Sequence, residues 1–227
     1  VKQFVPGNVK TGQQHHYTSR QDAGKKLAVE LRRFESPDTV VMALPRGGVV
    51  LGLEVAKVLH VPLGLILVKK IGHPSYAEYA IGAVAEDEAP IYNESEVAAI
   101  DKKWLKKAEQ SARRVIKERR ETYFNTDIAQ PEIEDKTIII VDDGIATGLT
   151  MEAAVKYVLG DEPKRVIVAV PVASRESVSA LSKLADEIIV LDNPDHFLGA
   201  VGSHYQEFNQ VDDDEVRAML KEGSYGL

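Results

Sequence analysis

Two adjacent carboxylates at the end of an apolar run, followed by a loop of small and hydroxyl residues, form the most chemically loaded stretch of this 227-residue chain. It reads Ile138-Ile139-Ile140-Val141-Asp142-Asp143-Gly144-Ile145-Ala146-Thr147-Gly148-Leu149-Thr150. A loop passing into a helix presents unpaired backbone N–H groups and the positive end of the helix dipole, and Thr147 and Thr150 add hydroxyl donors. That set binds a phosphate. Asp142 and Asp143 would repel the same phosphate unless the ligand also turns hydroxyls, or a metal ion, towards them. A sugar phosphate meets both demands. The loop is not a Walker loop, because no Lys follows the glycine where Gly-x-x-x-x-Gly-Lys requires one.

A second glycine turn closes another apolar run: Ala43-Leu44-Pro45-Arg46-Gly47-Gly48-Val49-Val50. Gly47 and Gly48 let the backbone approach a diphosphate closely, and Arg46 supplies bidentate donors. Lys69 and Lys70 stand at the end of the next apolar run.

These loops need a frame. Strand-like runs at 39–44, 63–68, 137–141, 165–170 and 187–191 alternate with helical patterns. The first helix opens on a capping box, Ser19 with Asp22, and carries Ala23, Leu27, Leu31 and Phe34 on one side. Others are expected at 49–59, 95–124, 148–159, from near Ser174, and at 212–220. Such alternation predicts an α/β fold, doubly wound around a mainly parallel five-stranded sheet, because parallel strands need crossover connections. In the order 2-1-3-4-5, strand 39–44 lies beside strand 137–141 with the topological switch point between them, so both glycine loops converge on one crevice. Residues 73–94 read as the least regular part of the chain. Residues 1–18 read as a surface arm with solvated His15 and His16.

The acidic string resembles the signature of the type I phosphoribosyltransferases, and Arg46-Gly47-Gly48 resembles their pyrophosphate loop. The stretch from Ile71-Gly72-His73-Pro74 through Tyr79-Ala80-Ile81-Gly82-Ala83-Val84, with Phe197-Leu198-Gly199-Ala200-Val201-Gly202 and Tyr205 to Val211, resembles a predicted phosphoribosyltransferase subfamily. The likeness runs over most of residues 20–215. It implies one domain over 1–227, with a core at about 20–72 and 125–192, a lid loop and long helix at 73–124, and a hood from 1–19 and 193–227. It implies transfer of a phosphoribosyl group from phosphoribosyl pyrophosphate to a nitrogenous base, with release of pyrophosphate. By resemblance, Asp142 and Asp143 take the ribose hydroxyls, and Ile145, Ala146, Thr147, Gly148, Leu149 and Thr150 hold the 5-phosphate. Arg46, Gly47 and Gly48, with Lys69 or Lys70, face the pyrophosphate, and Phe197, Tyr205 and Phe208 could stack on the base. The cofactor implied is Mg²⁺, held mostly by substrate oxygens and water and by Asp142 or Asp143 only through water. Members acting on 6-oxopurines carry Asp just before the loop Thr, where this chain has Ala146, so the base stays unassigned.

Composition bounds the alternatives. Twenty-eight Lys and Arg against thirty-five Asp and Glu give a formal charge of -7, which argues against DNA or an anionic membrane as partner. There are no cysteines, so disulfides, thiolate metal sites and cysteine nucleophiles are excluded. No apolar run approaches the ~18 residues of a membrane span, and a cytoplasmic location is expected. Helix 101–124 holds nine Lys and Arg against four Asp and Glu, a pattern suited to steering anions, binding RNA or packing in a homodimer. The competing class is a regulatory protein that binds phosphoribosyl pyrophosphate or a nucleotide without turnover. A phosphoacceptor domain using Asp142 or Asp143 leaves Arg46-Gly47-Gly48 and the threonine loop unexplained.

Overall fold

The computed structural model describes residues 17–86, 88–124 and 129–225. Ser19 caps α1 (Arg20–Leu31) by accepting from the Asp22 N–H, while the Asp22 carboxylate accepts from the Thr18 N–H. After a 3₁₀ turn come β1 (Thr39–Ala43), α2 (Gly47–Leu59), β2 (Leu63–Leu65), β3 (Val68–His73), β4 (Tyr76–Ala85) and β5 (Ile91–Tyr92). A single turn, α3 (Glu94–Val97), and the long α4 (Lys102–Tyr123) follow. The second half holds β6 (Thr137–Val141), α5 (Leu149–Gly160), β7 (Arg165–Val172), α6 (Arg175–Leu181), β8 (Glu187–Asp192) and α7 (Asp213–Tyr225).

Five strands form a parallel sheet ordered β2-β1-β6-β7-β8, the 2-1-3-4-5 arrangement expected. Their runs are apolar throughout because both faces are covered. Val41, Ala43, Ile139, Val141 and Ile167 pack with α1, α2 and Leu220 of α7, whereas Val40, Met42, Ile138, Ile140 and Val168 pack with α5 and Leu181 of α6. Ala43 lies directly opposite Val141, so β1 and β6 end level and the loops that follow them start side by side. No described helix is long and apolar enough to cross a membrane.

Several expectations change. The apolar run 63–68 is not one strand: the Ile66 N–H bonds the Ala43 carbonyl, and at Val68 the chain has entered a second, antiparallel sheet ordered β3-β4-β5. Lys69 and Lys70 therefore lie in a hairpin, not at a core strand end. The segment expected to be irregular, 73–94, is mostly that hairpin and its partner β5, and its tip carries the exposed Tyr76. Its Ala and Gly residues suggest a loop, but they are small because both faces are buried: Ile71, Ile81 and Val84 pack with Ala112 and Ile116 of α4, and Val68, Ala83 and Ala85 with the α5 side. Finally, α7 leaves the hood and packs on α2 and β2. His15 and His16 lie outside the described residues. Tyr17, expected on a surface arm, is buried and bridges to Tyr205.

The basic character of α4 is partly structural. Arg113 donates to the carbonyl of Glu88 at 2.8 Å, and Arg120 binds the Glu86 carboxylate at 2.7 and 2.8 Å, which fastens the β4–β5 connection. Trp104, Ala108, Ala112 and Ile116, spaced four apart along one side of the helix, pack on the core.

Helices α1 and α2 cross at close range because Gly24 has no side chain. A Cβ there would lie 2.9 Å from the Leu51 Cα and 3.1 Å from the Glu54 Cβ. This contact brings Arg20, the first residue of α1, beside Gly47, the first residue of α2. Gly24→Ala is expected to lower stability by about 1–3 kcal/mol through overpacking against backbone. Thermal unfolding followed by circular dichroism, with Tm falling several degrees, checks it.

Candidate active site

The level ends of β1 and β6 put one glycine against each acid. A Cβ on Gly47 would fall 2.0 Å from Asp143 Oδ2, and one on Gly48 would fall 3.0 Å from Asp142 Oδ1 and 2.8 Å from the Val141 carbonyl oxygen. Only glycine admits the turn after β1 this close to the carboxylates. The Pro45–Arg46 peptide within this turn is cis.

Behind the acid pair the loop 144–148 is anchored by its carbonyls and by the next strand. The Ile145 N–H bonds the Val172 carbonyl at 2.9 Å and the Ser174 N–H bonds the Ile145 carbonyl at 3.0 Å. Ser174 and Ser177 both donate their hydroxyls to the Ala146 carbonyl, at 2.8 and 2.9 Å. Gly148 stands just before α5 at φ +83°, and Thr147 is exposed.

Capping separates the two helices of this site from the other helices longer than one turn, the single-turn α3 also being uncapped. Ser19, Asp101, Ser174 and Asp212 side chains accept from the first turns of α1, α4, α6 and α7. By contrast α2 begins at Arg46 and α5 at Gly148, and neither has a side-chain cap. Their first-turn amides and dipole ends point to the mouth of the sheet, one on each side of Asp142 and Asp143, and suit a ligand with two anionic ends.

The acid pair itself is crowded. Asp142 Oδ1 accepts from the Asp143 N–H at 2.8 Å. Burial first, and the Asp143 carboxylate second, push the Asp142 carboxyl well above its ordinary range. Burial also raises Asp143, against the opposing pull of the Arg20 guanidinium, whose Nε donates to Asp143 Oδ2 at 2.7 Å. Two hard oxygen donors that hold their negative charge this reluctantly fit a hydrated divalent cation. Among the described residues no three His, Asp or Glu side chains converge as a metal site, so such an ion would draw its other ligands from water and the bound molecule.

Sequence reasoning did not single out Arg20, whose role depends on contacts far along the chain. Besides Asp143 it binds the Asn209 carbonyl at 2.6 Å and lies 3.6 Å above the Phe208 ring. Tyr205 packs between Tyr17 and Phe208, with ring centroids 5.5 and 5.1 Å away, and its hydroxyl donates to the Asp143 carbonyl at 2.6 Å. Expected to stack on a base, Tyr205 is instead buried against its own hood, because its ring faces and hydroxyl are already engaged. Phe197 packs on His204 at 5.1 Å. Arg46 approaches Asp213 at 3.8 Å, and Asp213 in turn accepts from the buried Tyr123 hydroxyl at 2.5 Å. Lys69 and Lys70 line a cleft of about 410 Å³ between the hairpin and α4, together with His73 and Trp104, and no residue of the acidic loop shares that lining. A larger cleft, about 660 Å³, lies elsewhere, among Met42, Tyr157 and the end of α5. Its carboxylates, Glu132, Glu134, Asp161 and Glu162, stand at the C-terminal end of α5, whereas the acid pair and the uncapped helix N-termini lie at the sheet mouth.

A doubly wound sheet with an acid pair between two uncapped helix ends defines a class, and the comparisons say which. Residues 14–207 match the phosphoribosyl transferase domain family, and the chain belongs to that family. Two proteins of Mycobacterium tuberculosis, each named "Putative phosphoribosyl transferase", are 36% identical over 211 residues, which is 90% of this chain and 46% of theirs. The chain thus spans about half the length of these curated relatives. The crystal structure of the protein TT1426 from Thermus thermophilus is 38% identical, superposes with a TM-score of 0.76, and covers 92% of this chain and 99% of its own.

The crowding has a measurable sign. A carboxyl whose folded-state pKa is raised stabilises the protein below the ordinary carboxylate range, and that contribution is lost as pH rises through the raised value. Asp142→Asn keeps the Oδ1 acceptor and removes the charge. It is expected to raise Tm at about pH 8 by roughly 2–4 °C, or ~1 kcal/mol. The gain should shrink towards about pH 4, where the native carboxyl is also neutral. Differential scanning calorimetry of both proteins across this range is the check.

Proposed function

We propose that the protein transfers the 5-phosphoribosyl group of phosphoribosyl pyrophosphate to a nitrogenous base in the cytoplasm, with Mg²⁺ and with release of pyrophosphate. The observation that supports this most is the pairing of two uncapped helix N-termini with two carboxylates between them. A molecule with an anion at each end and vicinal hydroxyls in the middle complements that array. The 5-phosphate would sit on the amides of Ala146 to Thr150 and on the Thr147 and Thr150 hydroxyls; the Ile145 N–H, expected among the donors, is already held by the Val172 carbonyl. Asp142 and Asp143 would accept from the ribose hydroxyls. Gly47 and Gly48 would let the α2 amides reach the pyrophosphate, with Arg46 as the charged donor.

In the reaction a ring nitrogen bonds to C1 of the ribose as the bond from C1 to the pyrophosphate oxygen breaks, and the proton of the nitrogen leaves to solvent. Bound Mg²⁺ would supply neutralisation of the departing diphosphate. The chain's own contribution is positioning and electrostatics: it fixes the sugar ring between the two anion sites and leaves one face of C1 to the base. Asp142 and Asp143 place negative charge beside a ring that gains positive character in the transition state.

The test is base-dependent pyrophosphate release from phosphoribosyl pyrophosphate with Mg²⁺ and a panel of purines and pyrimidines. At least one base should trigger release, and Arg46→Ala should lower kcat/KM about 10²-fold, as expected for loss of one charged donor to the leaving group. Binding by calorimetry without release for every base would overturn transfer and favour a regulatory protein that only senses its ligand.

A further inference from the structure

Arg20 joins the hood to the side chain of Asp143. Its guanidinium makes three contacts at once: Nε donates to Asp143 Oδ2 at 2.7 Å, Nη1 donates to the Asn209 carbonyl at 2.6 Å, and its face covers the Phe208 ring at 3.6 Å. The Arg20 and Asp143 side chains are only 12% and 15% exposed, so solvent screens this pair far less than a surface ion pair. We propose that Arg20 is a positioning residue for sugar recognition, holding Asp143 so that one carboxylate oxygen is closed and the other is presented to a ribose hydroxyl, and that it does so only while the hood is seated.

The geometry supports each part. Asp143 Oδ2 is hemmed in by Arg20 and by Gly47, where a Cβ would stand 2.0 Å from Oδ2 and 2.7 Å from Arg20 Nε. A ligand hydroxyl therefore has Oδ1 as its acceptor on this residue. The Asp143 backbone is held as well, by the Tyr205 hydroxyl on its carbonyl at 2.6 Å. Tyr205 and Phe208 belong to the same hood strip as Asn209, and that strip is tied to the start of the described chain by the Gln206 and Glu207 N–H groups on the Tyr17 and Thr18 carbonyls. One strip thus fixes both the main chain and, through Arg20, the side chain of Asp143. The residue type is part of the argument. A planar fork with five donors and an aromatic-stacking face can serve a carboxylate, a carbonyl and a ring together, whereas a lysine ammonium is a point charge without a face.

The inference rests on the sugar-phosphate reading above, and the experiment separates the two. Isothermal titration calorimetry compares ribose 5-phosphate with tetrahydrofurfuryl phosphate, which keeps the ring and the phosphate but lacks the hydroxyls. The native protein should prefer ribose 5-phosphate by about tenfold or more, as a site built to bind hydroxyls rejects the analogue without them. In Arg20→Met the preference should fall to about threefold or less while affinity for tetrahydrofurfuryl phosphate holds, a pattern that general loosening of the fold would not produce. Arg20→Lys should not restore it. Phe208→Leu, which spares the Asp143 contact and removes only the ring, gives a partial loss and keeps the test alive if Arg20→Met does not fold. No hydroxyl preference in the native protein overturns the ribose reading and this inference together. A native preference that survives in folded Arg20→Met, or in Phe208→Leu should Arg20→Met not fold, overturns this inference alone.

Discussion

Two carboxylates on consecutive residues, walled in at the mouth of a parallel sheet, are the constraint to which the surrounding structure answers. Burial and mutual repulsion both disfavour their charges, and the Asp143 N–H and Arg20 are the groups that offset this. An acid pair so placed is unfavourable for folding and is retained where a ligand or cation completes it. The free energy it costs is met by the sheet beneath. Ile138, Ile139, Ile140 and Val141 are fully buried, and so are their neighbours on β7. The acid pair thus stands at the end of a fully buried part of the sheet.

That sheet also explains why the two anion cradles converge. Parallel strands send every strand-to-helix turn to one end, and at the switch point the helices depart to opposite faces. Here α2 leaves β1 towards one core layer and α5 leaves β6 towards the other. Their N-termini stand on either side of the acids without a side chain to satisfy them. Elsewhere Ser19, Asp101, Ser174 and Asp212 close the amides off. The absence of caps on α2 and α5 is a property of the sequence, since arginine and glycine stand where serine or aspartate would, but it acquires meaning only beside the acids.

This bears on how much was legible in the residues alone. The five core strands, their order, the acid pair and the two glycine loops could be read because each is local: apolar runs of four to six residues punctuated by glycine and charge. The β3–β4 hairpin could not, because burial on both faces erased the polar alternation that marks a strand, and small residues there suggest a loop. The same cause misplaced Lys69 and Lys70, since the run Leu63 to Val68 crosses from one sheet to another without a break in hydropathy. Tyr205 was visible as an aromatic residue in the hood, but its partners, Tyr17 and the Asp143 carbonyl, lie 188 and 62 positions away.

Arg20 shows the same limit from the other side. On its own it is the first residue of an amphipathic helix, where a cation is if anything unfavourable beside the positive end of the dipole. Its position makes sense only because Gly24 lets α1 lie close against α2, which carries the α1 N-terminus to Gly47 and so to Asp143. There the carboxylate outweighs the dipole, and Phe208 and Asn209 use what remains of the guanidinium. A residue placed against its local preference, and held by three partners from two other regions of the chain, is where the demands of the site override those of the helix. The hood is therefore more than a cover. Through Arg20 and the Tyr205 hydroxyl it becomes part of the electrostatics of the acid pair, so that seating the hood and arranging the carboxylates are one event.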